Sequence, residues 1–277
     1  MREAEMWVQV KQDQPNDYNV FRRKKIWGKQ FLCPQIIGIT RIRNESIIIE
    51  DTLQHVAQFV DAVIAYDDCS NDETIAIVKN QSIVKEIIIG KRWYSDRVSE
   101  ETRHRQILLE HARQYNPKWI LYFDADERFD FTRRAIADLP DTVDGVKVDF
   151  YDAYMTPEDK EPYKKGMTLW NFRNKFGPEK REILVLFRNK DYIEFQGLDA
   201  REPTGCKRVI HSNNCQHYGK SLSAEQWEET CEYYSCFFPE PYHSKWEQRK
   251  GKAIHTQSDF GNPLYDWESV KENAITI

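Results

Sequence analysis

The sequence predicts an α/β fold built on a doubly wound, mostly parallel sheet. Short apolar runs of strand length alternate along the chain with longer segments whose apolar residues recur every three or four positions, as they do in helices. Strands that alternate with helices are typical of parallel sheets with helices packed on both faces. With 277 residues, of which 40% are hydrophobic, the chain is long enough to form one such domain around a substantial core.

The first half of the chain contains the clearest pattern. Apolar runs predict strands at 36–40, 62–66, 84–89 and 119–123, and the segments between them predict helices at 46–60, 70–80 and 99–115. Ser70 and Glu73 form a capping-box pattern at the start of the second helix, and Asn116-Pro117 ends the third helix. This succession of elements is what predicts the parallel sheet.

The pattern loosens beyond Asp130. Further strands are predicted at 143–151 and 183–188, a polar stretch separates them, and a helix capped by Ser223 is predicted at 224–234. We therefore divide the chain into a polar leader, two halves of one domain and a C-terminal extension, with the boundaries 1–34, 35–130, 131–240 and 241–277.

Charge and hydropathy exclude several classes of protein. A net charge of -5 with both signs interspersed provides no basic face, so we expect no nucleic-acid partner. No apolar run approaches the roughly 20 residues that span a bilayer, and the N-terminus lacks the apolar core of a signal peptide. We expect a cytoplasmic protein with reduced cysteines. The basic segment 21–27 is either a peripheral contact with an anionic membrane surface or a solvated leader whose Phe21 and Trp27 pack on the domain.

Acidic residues follow two of the predicted strands, at the edge of the sheet where α/β proteins bind ligands. Asp67-Asp68 follows the second strand, and Asp124-Ala125-Asp126-Glu127 follows the fourth. Two aspartates separated by one residue can direct both carboxylates at a divalent cation, which can bridge the phosphates of a nucleotide. An ordinary turn or helix cap is the alternative, and the position of both acidic pairs after apolar strands favours the ligand site.

Arg105 is a second indication of a site. It shares a face of its predicted helix with Leu109 and Ala112, so its side chain is predicted to point inward or toward the cleft. A buried ion pair would explain this position. Contact with a diphosphate would also explain it, because a guanidinium group binds phosphate oxygens well.

Taken in order, these residues resemble the family 2 glycosyltransferases and their GT-A relatives over about residues 35–130. Arg43-Asn44-Glu45 resembles the loop after the family's first strand, and the segment 67–74 resembles its Asp-Asp-Gly-Ser-Thr-Asp-x-Thr signature. Arg105 matches an arginine ahead of the Asp-x-Asp strand, and Asp124-Ala125-Asp126 matches the metal motif. The sequence departs from the signature at Cys69, where glycine is usual, and we expect this to alter the turn without removing its acid.

The resemblance implies a Rossmann-like GT-A fold and a role for each matching residue. Asp67 or Asp68 would hydrogen-bond the nucleobase, and Arg105 would meet the diphosphate. The full set implied to bind the nucleotide sugar is Thr40, Arg43, Asn44, Glu45, Asp67, Asp68, Arg105, Asp124 and Ala125.

The resemblance also implies a bound Mn²⁺ or Mg²⁺. Asp124 and Asp126 would hold the cation, and His217 resembles the late histidine that completes the metal site in many GT-A enzymes. A histidine satisfied in a loop or in the core is the alternative for His217. A zinc site is another interpretation of this region, although the spacing lacks a Cys-x-x-Cys pair; its ligands would be Cys206, His211, Cys215 and His217.

The function that the resemblance implies is transfer of a sugar from a nucleoside-diphosphate donor, favoured as UDP-linked, to a hydroxyl of a glycan or glycolipid acceptor. Inverting displacement needs a carboxylate to take the proton of the acceptor hydroxyl. Candidates are Glu202, slightly favoured, Asp199 and Glu127. Trp170, Phe172 and Trp227 either stack on sugar or pack in the protein. Alternatives are a sugar-phosphate nucleotidyltransferase, a glycosidase and a non-catalytic nucleotide- or carbohydrate-binding protein.

Overall fold

The computed structural model describes residues 5–12, 16–25 and 34–277. Within these ranges one sheet contains the strands β1 Glu5–Val10, β2 Tyr18–Lys25, β3 Ile36–Ile42, β4 Ala62–Asp67, β5 Val84–Gly90, β6 Trp119–Tyr122, β7 Glu127–Phe129, β8 Gly145–Tyr154, β9 Lys175–Arg188, β10 Val209–His217 and β11 Ile275–Thr276. The helices are α1 Ile49–Val56, α2 Thr74–Asn80, α3 Arg97–Arg113, α4 Arg133–Ala137, α5 Ala224–Phe237, α6 Tyr242–Glu247 and α7 Trp267–Glu272.

The centre of the sheet consists of parallel strands in the order β5-β4-β3-β6. Ile39 of β3 is in register with Ile64 of β4 on one side and with Tyr122 of β6 on the other. These are the four strands that the apolar runs predict. The carboxyl ends of β3, β4 and β6 therefore lie side by side, which brings the loops that follow them to one edge.

Helices cover both faces of the central strands. Leu53 of α1 and Val78 of α2 pack with one set of strand residues, and Leu108 of α3 packs with the alternate set. Neighbouring strand residues such as Val63 and Ile64 belong to opposite faces, and both are fully buried. Burial on both faces explains why these strands have continuous apolar sequences instead of an alternating pattern. The doubly wound α/β prediction is confirmed.

Antiparallel strands extend the sheet on both sides. Beyond β5 lie β2 and then β1, which form an antiparallel pair. Beyond β6 lie β9, β8, β10 and β7, and β8 and β10 pair in parallel. The leader thus contains two strands that the sequence does not predict. Phe21 lies in β2 and is half-buried, whereas Trp27 lies outside the described residues.

The start of α2 differs from the prediction. The capping box of Ser70 and Glu73 does not form, because α2 begins at Thr74 and no side chain caps it from Glu73. The carboxylate of Asp72 accepts the backbone N–H of Thr74 at 2.9 Å instead. The hydroxyl of Ser70 accepts the backbone N–H of Asn44 at 2.9 Å, so it ties two loops together. The capping-box prediction is wrong because a tertiary contact takes the hydroxyl.

The C-terminal part of the chain packs a separate apolar cluster against the sheet. Trp227 and Cys231 of α5 meet Trp246 of α6, together with Met155 and Ala253. The predicted cap of α5 is confirmed, because the Ser223 hydroxyl accepts the backbone N–H of Gln226 at 3.1 Å. None of the helices in the described ranges combines the length and apolar character needed to span a bilayer.

Candidate functional site

The loops after β3 and β4 are joined by hydrogen bonds between backbone and side chains. The Asn44 side-chain carbonyl accepts the N–H of Asn71 at 2.9 Å, and the N–H of Asn44 is bound by Ser70. The N–H of Glu45 donates to the Thr74 hydroxyl at 2.8 Å. These contacts join the 43–45 and 67–74 segments into one wall.

Asp67 and Asp68 differ in their partners. Asp67 is 1% exposed, and its Oδ2 accepts the N–H of Ser70 at 3.1 Å, but its buried Oδ1 has no partner among the described residues. Burial raises the pKa of Asp67. The Asp68 carboxylate, in contrast, is bound by Arg97 and by Arg41, the latter at 3.2 Å. Asp67 is therefore the acid that retains a free acceptor for a ligand.

Cys69 adopts a conformation that favours glycine. Its φ is 59°, in the left-handed region, and its Sγ lies 3.4 Å from the carbonyl oxygen of Gly90. A side chain at positive φ costs on the order of 1 kcal/mol or more. The turn after β4 thus has a strained residue at a position whose backbone conformation favours glycine.

Arg43 supports this turn from the β3 side. Its Nη1 donates to the carbonyl oxygens of Asp68 at 2.6 Å and Cys69 at 3.1 Å. Its guanidinium lies 5.0 Å from the ring centroid of Trp93. Thr40, at the end of β3, is fully buried, and its hydroxyl has no partner among the described residues. Arg43 therefore holds the loop by hydrogen bonds to backbone carbonyls, and the Thr40 hydroxyl has no partner in the described part of the chain.

A chain of polar contacts, called here the ion-pair chain, runs beneath the site. Arg41 connects Asp68 to Glu101, and Arg105 connects Glu101 to Tyr122. The Tyr122 hydroxyl donates to Asp124 at 2.7 Å. Its members, in order, are Arg97, Asp68, Arg41, Glu101, Arg105, Tyr122, Asp124, Arg201 and Glu127.

Arg105 points inward, as predicted, and is only 3% exposed. Its Nη2 binds Glu101 at 3.1 Å, its Nε binds the Tyr122 hydroxyl at 3.0 Å and its Nη1 binds the carbonyl oxygen of Ala200 at 3.3 Å. Each guanidinium nitrogen therefore has a partner within the protein. Arg105 contacts Asp124 only through Tyr122. Its ion pair with Glu101 matches the buried ion pair, which is one of the two interpretations that the sequence allows.

The Asp-x-Asp turn is held from inside the protein. The Glu127 carboxylate accepts the N–H of Asp124 at 2.9 Å and is also bound by Arg201. Arg128, fully buried, donates to the carbonyl oxygen of Ala125 at 3.0 Å and binds Asp51 of α1 at 2.7 Å. Glu127, which is 2% exposed, thus shapes the turn.

His217 reaches this turn from the neighbouring strand. Pairing of β10 with β7 places His217 opposite Glu127, and His217 Nε2 lies 3.4 Å from Asp126 Oδ2. His217 Nδ1 lies 2.6 Å from Asp152 Oδ1. A carboxylate on one ring nitrogen fixes the tautomer and directs the other nitrogen, which is the usual support of a metal-binding histidine.

The residue after Tyr218 must be small for this arrangement to exist. A Cβ at Gly219 would lie 2.7 Å from Asp126 Oδ2 and 3.0 Å from His217 Cε1. Arg181 binds the same Asp152 oxygen, Oδ1, at 2.6 Å, and Lys220 binds Oδ2 at 2.6 Å. These cations outweigh the burial of Asp152, so its pKa is well below its usual range. Asp152 is therefore a permanent anion behind His217.

Negative charge accumulates on the open side of the turn. Burial, together with the charges of Asp126 and Asp124, raises the pKa of Glu45 to about 8. Burial opposes protonation of His217, yet Asp126 and Asp152 outweigh it and raise its pKa. Several carboxylates gathered beside an imidazole form a donor set that suits a hard or borderline divalent cation. The residues present fit Mn²⁺ or Mg²⁺.

The closest three-ligand group lies elsewhere. Among the described residues, Asp149, Glu182 and His211 have ligand atoms all within 4.8 Å of one another, whereas Asp124, Asp126 and His217 are not gathered so closely. Lys180 binds Asp149 at 2.8 Å and Glu182 at 3.3 Å. Because this ammonium already binds both carboxylates, we interpret the group as a surface ion-pair cluster.

The zinc interpretation is wrong for the same region. Cys206 Sγ contacts the carbonyl oxygen of Asp144, and Cys215 is fully buried with its Sγ near the carbonyl oxygen of Gln216. His211 and His217 bind different aspartates, at positions 149 and 152. Cross-strand geometry separates the four side chains that lie near one another in the sequence.

The other two base candidates occupy different surroundings. The Glu202 carboxylate is bound by the N–H of Leu184, with Lys147 at 3.9 Å. The Asp199 carboxylate has no hydrogen bond or ion pair within the described part of the chain, and burial, followed by the charge of Glu101, raises its pKa. Asp199 is thus the candidate whose carboxylate remains available.

The sequence analysis missed Arg201 and Asp152. Arg201 Nε lies 3.5 Å from Asp124 Oδ2, and its guanidinium lies 4.5 Å from the ring centroid of Tyr122. The only sequence signal for Arg201 is its position between Asp199 and Glu202. The strand predicted at 143–151 ends one residue before Asp152, whereas β8 continues to Tyr154. An acid within a mostly buried strand is the sequence signal that would have identified Asp152.

The aromatic candidates pack within the protein. Trp227 is fully buried in the C-terminal cluster. Trp170 stacks on His55 with ring centroids 5.9 Å apart, and the ring centroids of Phe172 and Tyr163 are 5.2 Å apart. Packing is therefore the observed role of all three.

No protein-family model and no curated protein matches the chain. Solved structures that are similar to it include residues 1–349 of S. aureus TarS in complex with UDP, with 14% identity over 79% of this chain and 70% of that chain at a TM-score of 0.37. The mannosyltransferase PcManGT from Pyrobaculum calidifontis, in complex with GDP-Man and Mn²⁺, has 14% identity over 78% of this chain and 69% of that chain, with a TM-score of 0.38. HddC from Yersinia pseudotuberculosis has 13% identity over 72% of this chain and 98% of that chain, with a TM-score of 0.37. These TM-scores are below 0.5, so the functional argument depends on the site itself.

Proposed function

We propose that the chain is a glycosyltransferase that moves a sugar from a nucleoside-diphosphate donor to a hydroxyl of an acceptor, with Mn²⁺ or Mg²⁺ bound at the Asp-x-Asp turn. The observation that carries the proposal is the Asp126–His217 pair at 3.4 Å, with Asp152 behind the imidazole. A histidine oriented by a carboxylate and facing an acid is arranged as a metal ligand. Glycine at position 219 leaves room for both ligands.

Asp126 and His217 would hold the cation, and Asp124 would join them directly or through water. The bound cation would supply the positive charge that stabilises the departing diphosphate. Glu45 faces the same region, since the charges of Asp124 and Asp126 raise its pKa. This concentration of acids is the electrostatic reason to expect a cation there.

The nucleoside would bind on the wall formed by the loops after β3 and β4. The free Oδ1 of Asp67 is a buried acceptor, which suits a base with a ring N–H, such as uracil or guanine. We propose uracil, and therefore a UDP-linked donor, following the sequence resemblance. Asn44 and Thr40 would contribute further polar contacts, and Ala125 would leave space beside the turn. Asp68, Arg43 and Arg105 would support this wall from behind.

Transfer would occur by a single displacement with inversion. The acceptor oxygen would form the new bond to the anomeric carbon, the bond from that carbon to the diphosphate oxygen would break, and the hydroxyl proton would pass to a carboxylate. We propose Asp199 as this base because its carboxylate is uncommitted in the described part of the chain, whereas Glu127 and Glu202 are hydrogen-bonded. A glycan or glycolipid is the acceptor class that the sequence resemblance suggests.

The test is a thermal-shift panel of UDP, GDP, CDP, ADP and TDP, each with and without Mn²⁺. A ligand at 100 times its Kd stabilises the folded protein by about 2.7 kcal/mol, enough for a clear rise in Tm. We expect UDP to raise Tm only when Mn²⁺ is present, and Asp126→Asn to abolish that rise. A panel in which no nucleotide raises Tm would contradict the proposal. Binding without consumption of any UDP-sugar would favour a non-catalytic binding protein.

A further inference from the structure

Arg201 occupies the position of a counter-ion at the Asp-x-Asp turn. Its Nε faces Asp124 Oδ2 at 3.5 Å, and its Nη2 binds Glu127. The side chain is about one-fifth exposed, at 22%, and lies against the ring of Tyr122. It is the cation in direct ion-pair contact with Asp124 among the described residues.

A divalent cation at this turn would be close to the same carboxylate. The Oδ1 of Asp124 is taken by the Tyr122 hydroxyl, which leaves Oδ2, the oxygen that faces Arg201, for any other positive group. Two positive groups on one carboxylate oxygen repel each other strongly in a partly buried site. Arg201 and the cation would therefore compete for Asp124.

Part of the Arg201 guanidinium lacks a partner. Its Nη1 is buried and has no hydrogen-bond acceptor within the described ranges. A buried N–H group without an acceptor is costly, and planar guanidinium donors match the oxygens of a diphosphate. This nitrogen would gain acceptors if the side chain turned from Asp124 toward a bound donor.

The segment that carries Arg201 is anchored at its base. The N–H of Ala200 donates to the Thr102 hydroxyl at 2.8 Å, and the N–H of Asp199 donates to the carbonyl oxygen of Val98 at 2.9 Å. The backbone is thus fixed on α3, and a change of partner by Arg201 requires movement of its side chain alone.

We propose that Arg201 is an exchangeable counter-ion, which neutralises Asp124 in the ligand-free protein and transfers to the donor diphosphate when the divalent cation binds. This inference rests on the proposed function, because it requires a cation and a diphosphate at the turn. It assigns to Arg201 a direct role in donor binding and a restraint on metal binding in the absence of donor.

The test is the affinity for Mn²⁺ alone, measured by the free-ion EPR signal, in the wild type and in Arg201→Gln. We expect Arg201→Gln to bind Mn²⁺ about tenfold more tightly, because the competing charge is gone. At saturating Mn²⁺ we expect the same variant to bind UDP about tenfold more weakly by calorimetry. Arg201→Lys should bind Mn²⁺ with nearly wild-type affinity, since it keeps the charge.

Two controls separate this effect from others. Arg134→Gln removes one positive charge from an exposed side chain whose ion-pair partner is Asp138, and it should leave both affinities unchanged. Loss of Arg201 leaves the buried Glu127 carboxylate without its cationic partner. If Arg201→Gln is unstable for this reason, the double variant Glu127→Gln/Arg201→Gln is compared with Glu127→Gln alone. Circular dichroism checks the fold of each variant.

The failures are distinguishable. If the wild type binds Mn²⁺ in a way that Asp126→Asn abolishes, and Arg201→Gln leaves the Mn²⁺ affinity unchanged, the inference is overturned and the proposed function stands. If the wild type has no Mn²⁺ site that depends on Asp126, the proposed function is overturned and the inference with it.

Discussion

Individual carboxylates of the site differ most in what already binds them. Glu127 accepts the N–H of Asp124, Glu202 accepts the N–H of Leu184, and Asp68 is bound by two arginines. A carboxylate that must bind a proton or a ligand needs a free oxygen. In the described part of the chain, Asp67 Oδ1 has no hydrogen-bond partner, and the Asp199 carboxylate has no hydrogen bond or ion pair.

We predict that Asp199→Asn lowers the rate of sugar transfer at least about 100-fold while the Kd for UDP in Mn²⁺ stays within twofold, because an amide cannot accept the hydroxyl proton. Asparagine tolerates the left-handed φ of 50° at this position, so the fold should persist. Release of UDP from a UDP-sugar measures the rate. Glu202→Gln is the matched control and should change the rate less than threefold; the reverse ranking would transfer the role of base to Glu202.

A second residue-scale prediction concerns strain at Cys69. Cys69→Gly should increase the free energy of unfolding by about 1 kcal/mol, because glycine adopts the φ of 59° without steric cost. Urea denaturation measures the difference. Cys236→Gly, at an exposed helical position, is the contrasting control and should destabilise the protein by about 0.3 kcal/mol. Destabilisation by Cys69→Gly would show that the contact of Sγ with Gly90 outweighs the strain.

The sequence identifies which residues carry charge in the site but does not identify their partners. The inward direction of Arg105 follows from helical periodicity alone, and the structure confirms it. Its partners Tyr122 and Ala200 are 17 and 95 positions away, and no local pattern connects them. No local pattern singles out Arg201, which lies between the acids Asp199 and Glu202, and its partner Asp124 is distant in the sequence.

Among the elements, the apolar strands of the parallel centre are the most predictable. They are buried on both faces, so their sequences are continuously apolar and their boundaries are nearly correct. Strand β10 has mostly half-exposed polar residues, and its register shifts between His211 and Asn214. A polar strand with a bulge has no alternating signature, which explains why the sequence analysis did not predict the element that carries His217.

The loop that follows β10 allows a test at the scale of elements. Gly219→Ala should abolish the Mn²⁺-dependent rise in Tm with UDP, because its Cβ would lie 2.7 Å from Asp126 Oδ2 and displace the ligand pair. The protein should remain folded by circular dichroism. Ser221→Ala, in the same loop and with no hydroxyl partner among the described residues, should leave the response intact. A normal response in Gly219→Ala would show that the Asp126 and His217 side chains shift to accommodate the Cβ, and the prediction would be wrong.

At the scale of the whole molecule, a buried histidine couples stability to pH. His104 is 1% exposed and stacks on Tyr66 with ring centroids 3.9 Å apart. Burial, reinforced by the neighbouring arginines, lowers the pKa of His104 to about 2. The unfolded chain takes up a proton near pH 6.5 and the folded chain does not, so this residue makes the protein less stable as pH falls below about 6.5.

We predict that the wild type loses about 2 kcal/mol more free energy of unfolding than His104→Gln between pH 7 and pH 5. Urea denaturation at both pH values measures this difference, and the loss of the ring stack in the variant is independent of pH. His211→Gln, in an exposed ion-pair cluster, is the control and should follow the wild type more closely. Parallel pH profiles for the wild type and His104→Gln would show that His104 is protonated in the folded protein.

The ion-pair chain from Arg97 to Glu127 has a consequence for the evolution of the protein. Each interior member contacts two neighbours, so replacement of one residue removes a partner from both of them in a buried setting. Such a replacement becomes tolerable only when a neighbour changes in compensation. In related sequences the positions 41, 68, 101 and 105 should therefore covary, with opposite charges exchanged or lost in pairs, even where the surrounding loops diverge freely.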